Sequence, residues 1–314
     1  MLNPRILVVS SANMDVAAYT YKSPVAGQTV IGDTYDFIPG GKGANAAITL
    51  SRLGGDSVFC ANLGNDPNGA ALMKFYEDIG IDTRFITLDR NEKTGLAIII
   101  VENTGNNRII VYPGANFKLS VANVEDAFTC YPDALFLHLE IPVETVIAAT
   151  KFAKAQGIPI FIDAGPATKE FPLEDLAAVE VFSPNETETQ VFTGVNPTTP
   201  EMCVKACMAL ANRIKAKYYV IKLGERGAFL YDGKFYKMLA PYDVDVVDTT
   251  AAGDAFTAAL TLEYMRSGDI KRACEYANIV GSLTVSKAGA SPSLPTASEV
   301  EQFVIENEIN FRLS

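Results

Sequence analysis

No tryptophan occurs in this chain, and its one histidine, His138, lies inside the apolar run of residues 135–139. There it reads as a strand residue and not as a ligand or a base. Cysteine is sparse: Cys60, Cys130, Cys203, Cys207 and Cys274 are scattered and odd in number. With no signal-peptide pattern ahead of them, they point to a reducing cytoplasm. Cys203 and Cys207 stand four apart on an expected helix, but no second ligand pair follows, which argues against zinc. Positive charge is short as well: 26 Lys and Arg face 37 Asp and Glu, a net charge of −11. That balance argues against nucleic acid as the main partner and against an anionic membrane surface. No uninterrupted apolar run reaches the ~20 residues of a membrane span. No Gly-x4-Gly-Lys-Ser/Thr segment is present, so phosphoryl transfer on a P-loop is excluded. Internal repeats, low-complexity tracts and long linkers are absent.

What is present suits a large α/β core. At 314 residues, 48% apolar and 20% charged, the chain can form one big domain or two smaller ones. Ile6-Leu7-Val8-Val9 is a buried-strand run, and residues 28–38 alternate weakly, as strands do. Residues 96–101 and 108–112 flank the turn-rich Glu102-Asn103-Thr104-Gly105-Asn106-Asn107 and read as a hairpin. From about residue 119 the pattern is regular: helix 121–130, strand 134–140, helix 143–156, strand 158–163, strand 179–183, helix 185–193, helix 200–215 and strand 218–223. Asp232-Gly233 turns a second hairpin, and helices over 253–267, 270–287 and 297–308 close the chain. Such alternation implies a mostly parallel central sheet with helices on both faces. Glu140, Asp163, Asn185 and Gly224 fall at or just past the carboxyl ends of expected strands, the edge where open sheets bind ligands. The early β segments break the alternation. Residues 14–38 and 95–113 are therefore read as a small β lid over that edge, within a single domain spanning 1–314.

The most informative segment reads Asp248-Thr249-Thr250-Ala251-Ala252-Gly253-Asp254. Residues 244–247 are strand-like, and an apolar helical stretch follows. The turn sets the N–H groups of Ala251, Ala252 and Gly253 at a helix N-terminus, where unpaired amides and the helix dipole attract anions. Asp254 would repel a phosphate held there. A general base for a hydroxyl that attacks phosphorus gives it a reason to be there; a charge at the helix start is the alternative. A second segment, Pro39-Gly40-Gly41-Lys42-Gly43-Ala44-Asn45, precedes an amphipathic stretch ending at Gly54-Gly55. It also fits a relaxed dinucleotide fingerprint, Gly41-x-Gly43-x-x-Ala46, but Asp56 and Asp66 miss the usual spacing of about 20 residues to a ribose-binding acid.

Together, in this order and about 200 residues apart, these segments resemble the two signatures of the ribokinase-like (phosphofructokinase-B) carbohydrate kinases. The likeness runs from Val8 to about Pro295. It implies a three-layer α/β sandwich with a small β lid, and ATP-dependent phosphorylation of a sugar, ribose first. Deoxyribose, a nucleoside or another sugar is the alternative. Asp254 would be the base, with the amides of Ala251, Ala252 and Gly253 as an anion hole. Asn13, Asp15, Gly41, Lys42, Asn45 and Glu140 match sugar-binding positions. Asn185 and Glu188 match the residues that organise Mg2+, largely through water; a capped helix start with acids in its first turn explains the same residues. Lys222, Gly224 and Gly227 match the loop along ATP, where Lys222 replaces a small hydroxyl residue and is expected at a phosphate. Asn278 matches a position near adenine. Asp248, Thr250, Gly289 and Ser293 fall in segments that hold a monovalent cation, K+. A homodimer paired through the lid is the implied assembly. Two departures, Ala46 for Gln and Asp163-Ala164-Gly165-Pro166 for Asn-Pro-Ala-Pro, are read as lying away from the chemistry and as leaving room for a shifted sugar preference.

Overall fold

The computed structural model describes residues 3–104 and 106–312. The chain opens with β1 (Arg5–Val9), then leaves the main sheet for β2 (Asn13–Thr20) and β3 (Thr34–Gly40). It returns through α1 (Lys42–Arg52), β4 (Asp56–Gly64), α2 (Pro67–Asp78) and β5 (Ile86–Asp89). A second excursion makes β6 (Gly95–Glu102) and β7 (Asn107–Tyr112). The regular half follows: α3 (Val121–Ala127), β8 (Ala134–Leu137), α4 (Val143–Ala155), β9 (Ile160–Asp163), β10 (Val179–Ser183), α5 (Glu186–Thr193), α6 (Pro200–Ala211) and β11 (Ala216–Lys222). A hairpin of β12 (Ala228–Tyr231) and β13 (Tyr236–Leu239) precedes α7 (Ala252–Ser267), α8 (Ile270–Val285) and α9 (Ala297–Glu306).

Nine strands form one sheet in the order β13-β12-β11-β10-β9-β8-β1-β4-β5, parallel except for the antiparallel pairs β11–β12 and β12–β13. Neighbouring side chains of β1 serve opposite faces. Ile6 and Val8 pack with α1, α7 and α8, whereas Leu7 and Val9 pack with α3, α4 and α6. Both faces are buried, so the strands are continuous apolar runs rather than alternating ones. The order reverses at β1, which pairs with β8 on one side and β4 on the other. A crevice opens beyond the carboxyl ends at such a switch point, and ligands of open α/β sheets bind there.

The lid is a four-stranded sheet, β3-β2-β6-β7, in which β2 and β6 run parallel and the outer pairs antiparallel. Its strands stand over the carboxyl edge because β2 begins four residues past the end of β1. Gly105, in the expected hairpin tip, lies outside the described residues, as do residues 1, 2, 313 and 314.

Several sequence-based expectations need correction. Residues 28–33 form no strand; only 34–40 do, paired across their length with β2. Residues 244–247 are not a strand either. The amides of Val247 and Asp248 both donate to the carbonyl of Val285 at the end of α8, at 2.8 and 3.2 Å, so the segment is tied to a helix end and not to the sheet. The strand expected over 134–140 stops at Leu137, which puts His138 and Glu140 in the ligand-facing loop. Residues 56–89, unassigned from sequence, supply two strands and a helix. A start signal for α2 is present: Asp66 accepts from the Gly69 amide, and Pro67 occupies the first turn.

Candidate active site

Helix α7 starts abruptly. Its N-cap, Ala251, adopts a left-handed conformation at φ 63°, which costs a residue with a Cβ about 1 kcal/mol. Strain of this kind gathers where a backbone must be aimed. The Ala252 amide makes a long bond of 3.3 Å to the Thr249 carbonyl, so it is not wholly bare as the sequence suggests. Gly253 and Asp254 complete a first turn whose amides have no partner one turn back.

Asp254 is 5% exposed and points from this turn towards α1. One carboxylate oxygen accepts from the Asn45 amide at 2.9 Å. The other lies 3.5 Å from the Lys42 ammonium and 3.5 Å from Nε2 of His138. Burial pushes the carboxyl upward, but Lys42, His138 and the Asn45 hydrogen bond outweigh it and hold Asp254 well below the usual carboxylate range. The same attraction, exceeding the effect of burial, raises Lys42 above its ordinary value. Asp254 is therefore an anion at neutral pH, as a base must be. His138 was misjudged from sequence. It is fully buried one residue past β8, with Nδ1 3.2 Å from the Ser10 hydroxyl. An apolar run concealed it, because only the sheet order brings the loop after β8 beside α7.

The sugar-binding positions converge on the same point. Gly41 caps α1 at φ 90°, and a Cβ there would come 2.7 Å from the Asn13 amide, so only glycine lets the two segments touch. Asn116, missed from sequence, clamps this junction. Its amide group donates to Asn13 Oδ1 at 2.8 Å, and its oxygen accepts from the Ala12 N–H at 2.8 Å. Glu140 accepts from the Ser11 hydroxyl. Asp15 is buried, and burial, then Glu140 and Asp254, push its carboxyl up to about 7. Among the described residues, six buried side-chain polar atoms have no hydrogen-bond partner, and three of them belong to this site: Asp15 Oδ1, Asn45 Oδ1 and His138 Nε2, the last with only its 3.5 Å contact to Asp254. Orphans are rare in a folded interior and call for an explanation. A molecule with several hydroxyl groups would satisfy them.

The nucleotide positions are more mixed. Asn185 and Glu188 form a reciprocal capping box at the start of α5: Asn185 Oδ1 accepts from the Glu188 amide at 2.8 Å, and Glu188 Oε2 accepts from the Asn185 amide at 2.7 Å. Oε1 of Glu188 faces Gly165, where an added Cβ would come 2.5 Å from it. Burial raises this carboxyl above its ordinary value against the pull of Lys222. Lys222 pairs with Asp163, so Asp163 is not remote from the site as its sequence context suggested. Oxygen and nitrogen atoms of His138, Asp163 and Asp254 lie within 4.8 Å of one another. Gly224 and Gly227 frame a turn at left-handed φ of 54° and 80°, beside Glu186 at the start of α5. Asn278 is buried and donates to the carbonyls of Leu239 and Ala240 at 3.1 and 2.9 Å, which fastens α8 to the exit of β13.

Asp248, Thr250 and Gly289 meet: Asp248 accepts from the Thr250 amide and hydroxyl at 2.9 and 2.7 Å, and from the Gly289 amide at 2.9 Å. Ser293 does not join them; its hydroxyl donates to Ala290 at 2.8 Å. A cleft lined by Asp15, Ile38, Ile99, Asp248, Thr250 and Gly289 runs between this cluster and the lid.

A mostly parallel sheet with a buried, ionised aspartate at a helix start, under a β lid, defines a class. The chain belongs to the pfkB family of carbohydrate kinases, whose family model matches residues 3–297, and it is a sugar kinase. It is 32% identical to ribokinase of Staphylococcus aureus over 303 residues, covering 95% of this chain and 99% of that one. It is 33% identical over 309 residues to the bifunctional ribokinase/ribose-5-phosphate isomerase A of Fructilactobacillus sanfranciscensis, covering 97% of this chain and 57% of that protein. The structure of Arabidopsis thaliana ribokinase complexed with ribose and ATP superimposes with a TM-score of 0.87 at 30% identity, over 96% of this chain and 99% of that one.

Proposed function

We propose that the chain transfers the terminal phosphoryl group of ATP to the primary hydroxyl of D-ribose, giving ribose 5-phosphate and ADP. The ring of partnerless polar atoms around an ionised, buried Asp254 is the observation that carries this reading. Asp15, Asn13 and Glu140 would orient the sugar hydroxyls. Asp254 would take the proton of the attacking hydroxyl, held as an anion by Lys42 and placed by Asn45. The first amides of α7 would stabilise charge on the transferring group; one preorganised donor typically contributes ~10²–10³ in rate. The lid, residues 14–38 and 95–113 of one unit spanning 1–314, would close over the pocket and exclude water that competes for ATP.

Asn185 and Glu188, joined at the start of α5, are the residues proposed to organise Mg2+: Glu188 Oε1 is a hard oxygen donor that suits an ion which takes few protein ligands and keeps waters. Bound there with ATP, Mg2+ would neutralise phosphate charge. The Asp248–Thr250–Gly289 cluster beside the anion turn is the place assigned to K+. A panel of ribose, deoxyribose, fructose, adenosine and no sugar, each with and without Mg2+ and K+, tests these points by ADP release. Ribose is expected to turn over well above deoxyribose, since a site built to bond a hydroxyl rejects its absence strongly. Preference for another member would keep the base and the anion turn and replace ribose. Binding of ribose without turnover on any member would sink the kinase chemistry.

On the face turned away from the cleft the lid exposes Tyr35, Phe37, Ile98 and Ile110, an apolar surface of the kind that pairs. A second copy of the chain is its proposed cover. Phe37→Glu with Ile110→Glu is expected to halve the mass seen by sedimentation equilibrium; an unchanged mass would remove the lid from the interface. The cytoplasm is the assigned compartment because all five cysteines are free and buried. Recovery of the protein from a membrane fraction would overturn it.

A further inference from the structure

Strand register brings a histidine to the base. β1 and β8 are paired neighbours with Val9 opposite Leu137, so the next residues, Ser10 and His138, leave the sheet side by side at its carboxyl edge. Val9 and Leu137 pack on the face covered by α3 and α4. Alternation then turns Ser10 and His138 to the other face, towards α1 and α7. The His138 ring meets Phe136, two residues back on that face, edge-on at 5.2 Å between centroids. Gly43 of α1 packs directly on Ser10, since a Cβ there would come 2.7 Å from the Ser10 hydroxyl oxygen. Neither Ser10 nor His138 has any exposed surface.

The ring ends between two oxygens. Nδ1 lies 3.2 Å from the Ser10 hydroxyl, and Nε2 lies 3.5 Å from Asp254 Oδ1. Nε2 is also one of the buried atoms without a hydrogen-bond partner. Packing does not call for it: an apolar ring of the same shape fills the space and leaves no polar atom unpaired. Metal ligation is another use for such a nitrogen, with Asp163 and Asp254 close by. Lys222 and Lys42 already stand on those two carboxylates, however, and an ion would have to displace both. The proton count favours a donor. A neutral imidazole has one N–H and one lone pair. The Ser10 hydroxyl can donate to Nδ1, and a lone pair on Nε2 would repel the anion it faces.

We infer that His138 is a positioning residue for the base: Ser10 donates to Nδ1, the neutral ring carries its proton on Nε2, and Nε2–H fixes the rotation of the Asp254 carboxylate towards the attacking hydroxyl. The inference rests on the kinase reading and deepens it. Asn45 bonds one carboxylate oxygen and His138 faces the other, so a terminal torsion that is broad in aspartate is held from both sides. Lys42 supplies the full positive charge. A neutral second donor orients the carboxylate without adding another charge that would weaken it as a base. Hydrogen bonds around a catalytic group are often this long without substrate and tighten in the Michaelis complex.

Because the chain has one histidine, the test is direct. Nitrogen NMR of protein carrying isotope-labelled histidine is expected, at about pH 8, to show a proton on Nε2 and an accepting Nδ1. A proton on Nδ1 instead overturns the inference. Kinetics, thermal melts and calorimetric sugar binding of His138→Phe, His138→Gln and Ser10→Ala test the role. Phenylalanine keeps the ring and removes the donor, whereas glutamine sets an amide N–H about where Nε2–H stands. His138→Phe should lower kcat ~10–100-fold with sugar KM within a few-fold, the split expected of an interaction that matters in the transition state. His138→Gln should recover most of that loss. Ser10→Ala should lower kcat a few-fold and shift part of the proton signal to Nδ1. A lowered Tm with kcat per folded molecule unchanged in His138→Phe marks a packing residue and overturns the inference, as do equal kcat losses in the Phe and Gln variants. Should His138→Phe not fold, the proton position in the unaltered protein still decides. Unaltered protein that releases no ADP with any sugar would overturn the kinase reading and the positioning role with it; unchanged kcat in His138→Phe beside an active unaltered protein would overturn the positioning role alone.

Discussion

Asp254→Asn is expected to lower kcat ~10²–10⁴-fold while leaving sugar affinity within a few-fold of the unaltered enzyme. Asparagine has nearly the same shape, so the packing of α7 against α1 survives. What it loses is the lone pair and charge that accept a proton. Asp254 touches three groups that favour its ionised form, and burial, which opposes it, is outweighed. An amide keeps one acceptor oxygen for Asn45 or Lys42 but loses the charge and the second acceptor, so Lys42 would face a neutral group. Since Asp254 is held well below the usual carboxylate range, its protonation also cannot set an acid limb of activity near neutrality. Initial rates over sugar concentration, with calorimetric sugar binding, check both parts. A variant with near-normal turnover would remove Asp254 as the base.

Asp15→Asn is expected to raise apparent KM for the sugar ~10–100-fold and, without ligand, to stabilise the fold at alkaline pH. The carboxyl is raised from 3.8 to about 7 by burial, then by Glu140 and Asp254. In the unfolded chain it ionises near its ordinary value, whereas in the folded protein it keeps its proton until about pH 7. Its favourable contribution is thus fully present below about 3.8 and is lost as pH rises through about 7. Asparagine escapes that loss, so Tm of the variant should exceed that of the unaltered protein at pH 8 and approach it at pH 4. Sugar hydroxyls donate best to the ionised form, so KM of the unaltered enzyme should rise as pH falls below about 7, a limb absent in the variant. Thermal melts and KM at several pH values read this directly. Equal Tm differences at pH 4 and pH 8 would show that Asp15 does not titrate as described. The opposition of stability and binding at one residue is common where a site is organised for a ligand and not for itself.

Much of the main sheet was legible because its strands are short apolar runs and its helices carry caps. Thr199 and Pro200 open α6, and Thr296 with Glu299 boxes α9. Residues 56–89 were not read, since β4, although buried, is no continuous apolar run: Ser57, Asn62 and Gly64 interrupt it. The opposite error arose at residues 244–247. β-Branched residues there look like a strand, yet Val246 and Val247 are exposed and the backbone bonds go to α8. Pattern identified the residue types, and hydrogen-bond partners decided the element.

By itself the sequence determined the class of protein, because two short segments carry chemistry that depends on local backbone. Glycines at 41 and 253, small residues at 251 and 252 and an aspartate at 254 need only their own neighbours to be recognised, whereas the left-handed turn at Ala251 is visible only in the fold. Everything that acts across the sheet had to wait for the tertiary structure. The order of the strands and the docking of the lid bring His138 to Asp254, Asn116 to Asn13 and Asp163 to Lys222, pairs separated by 116, 103 and 59 positions. A one-dimensional pattern has no term for strand order, and strand order is what sets those groups side by side.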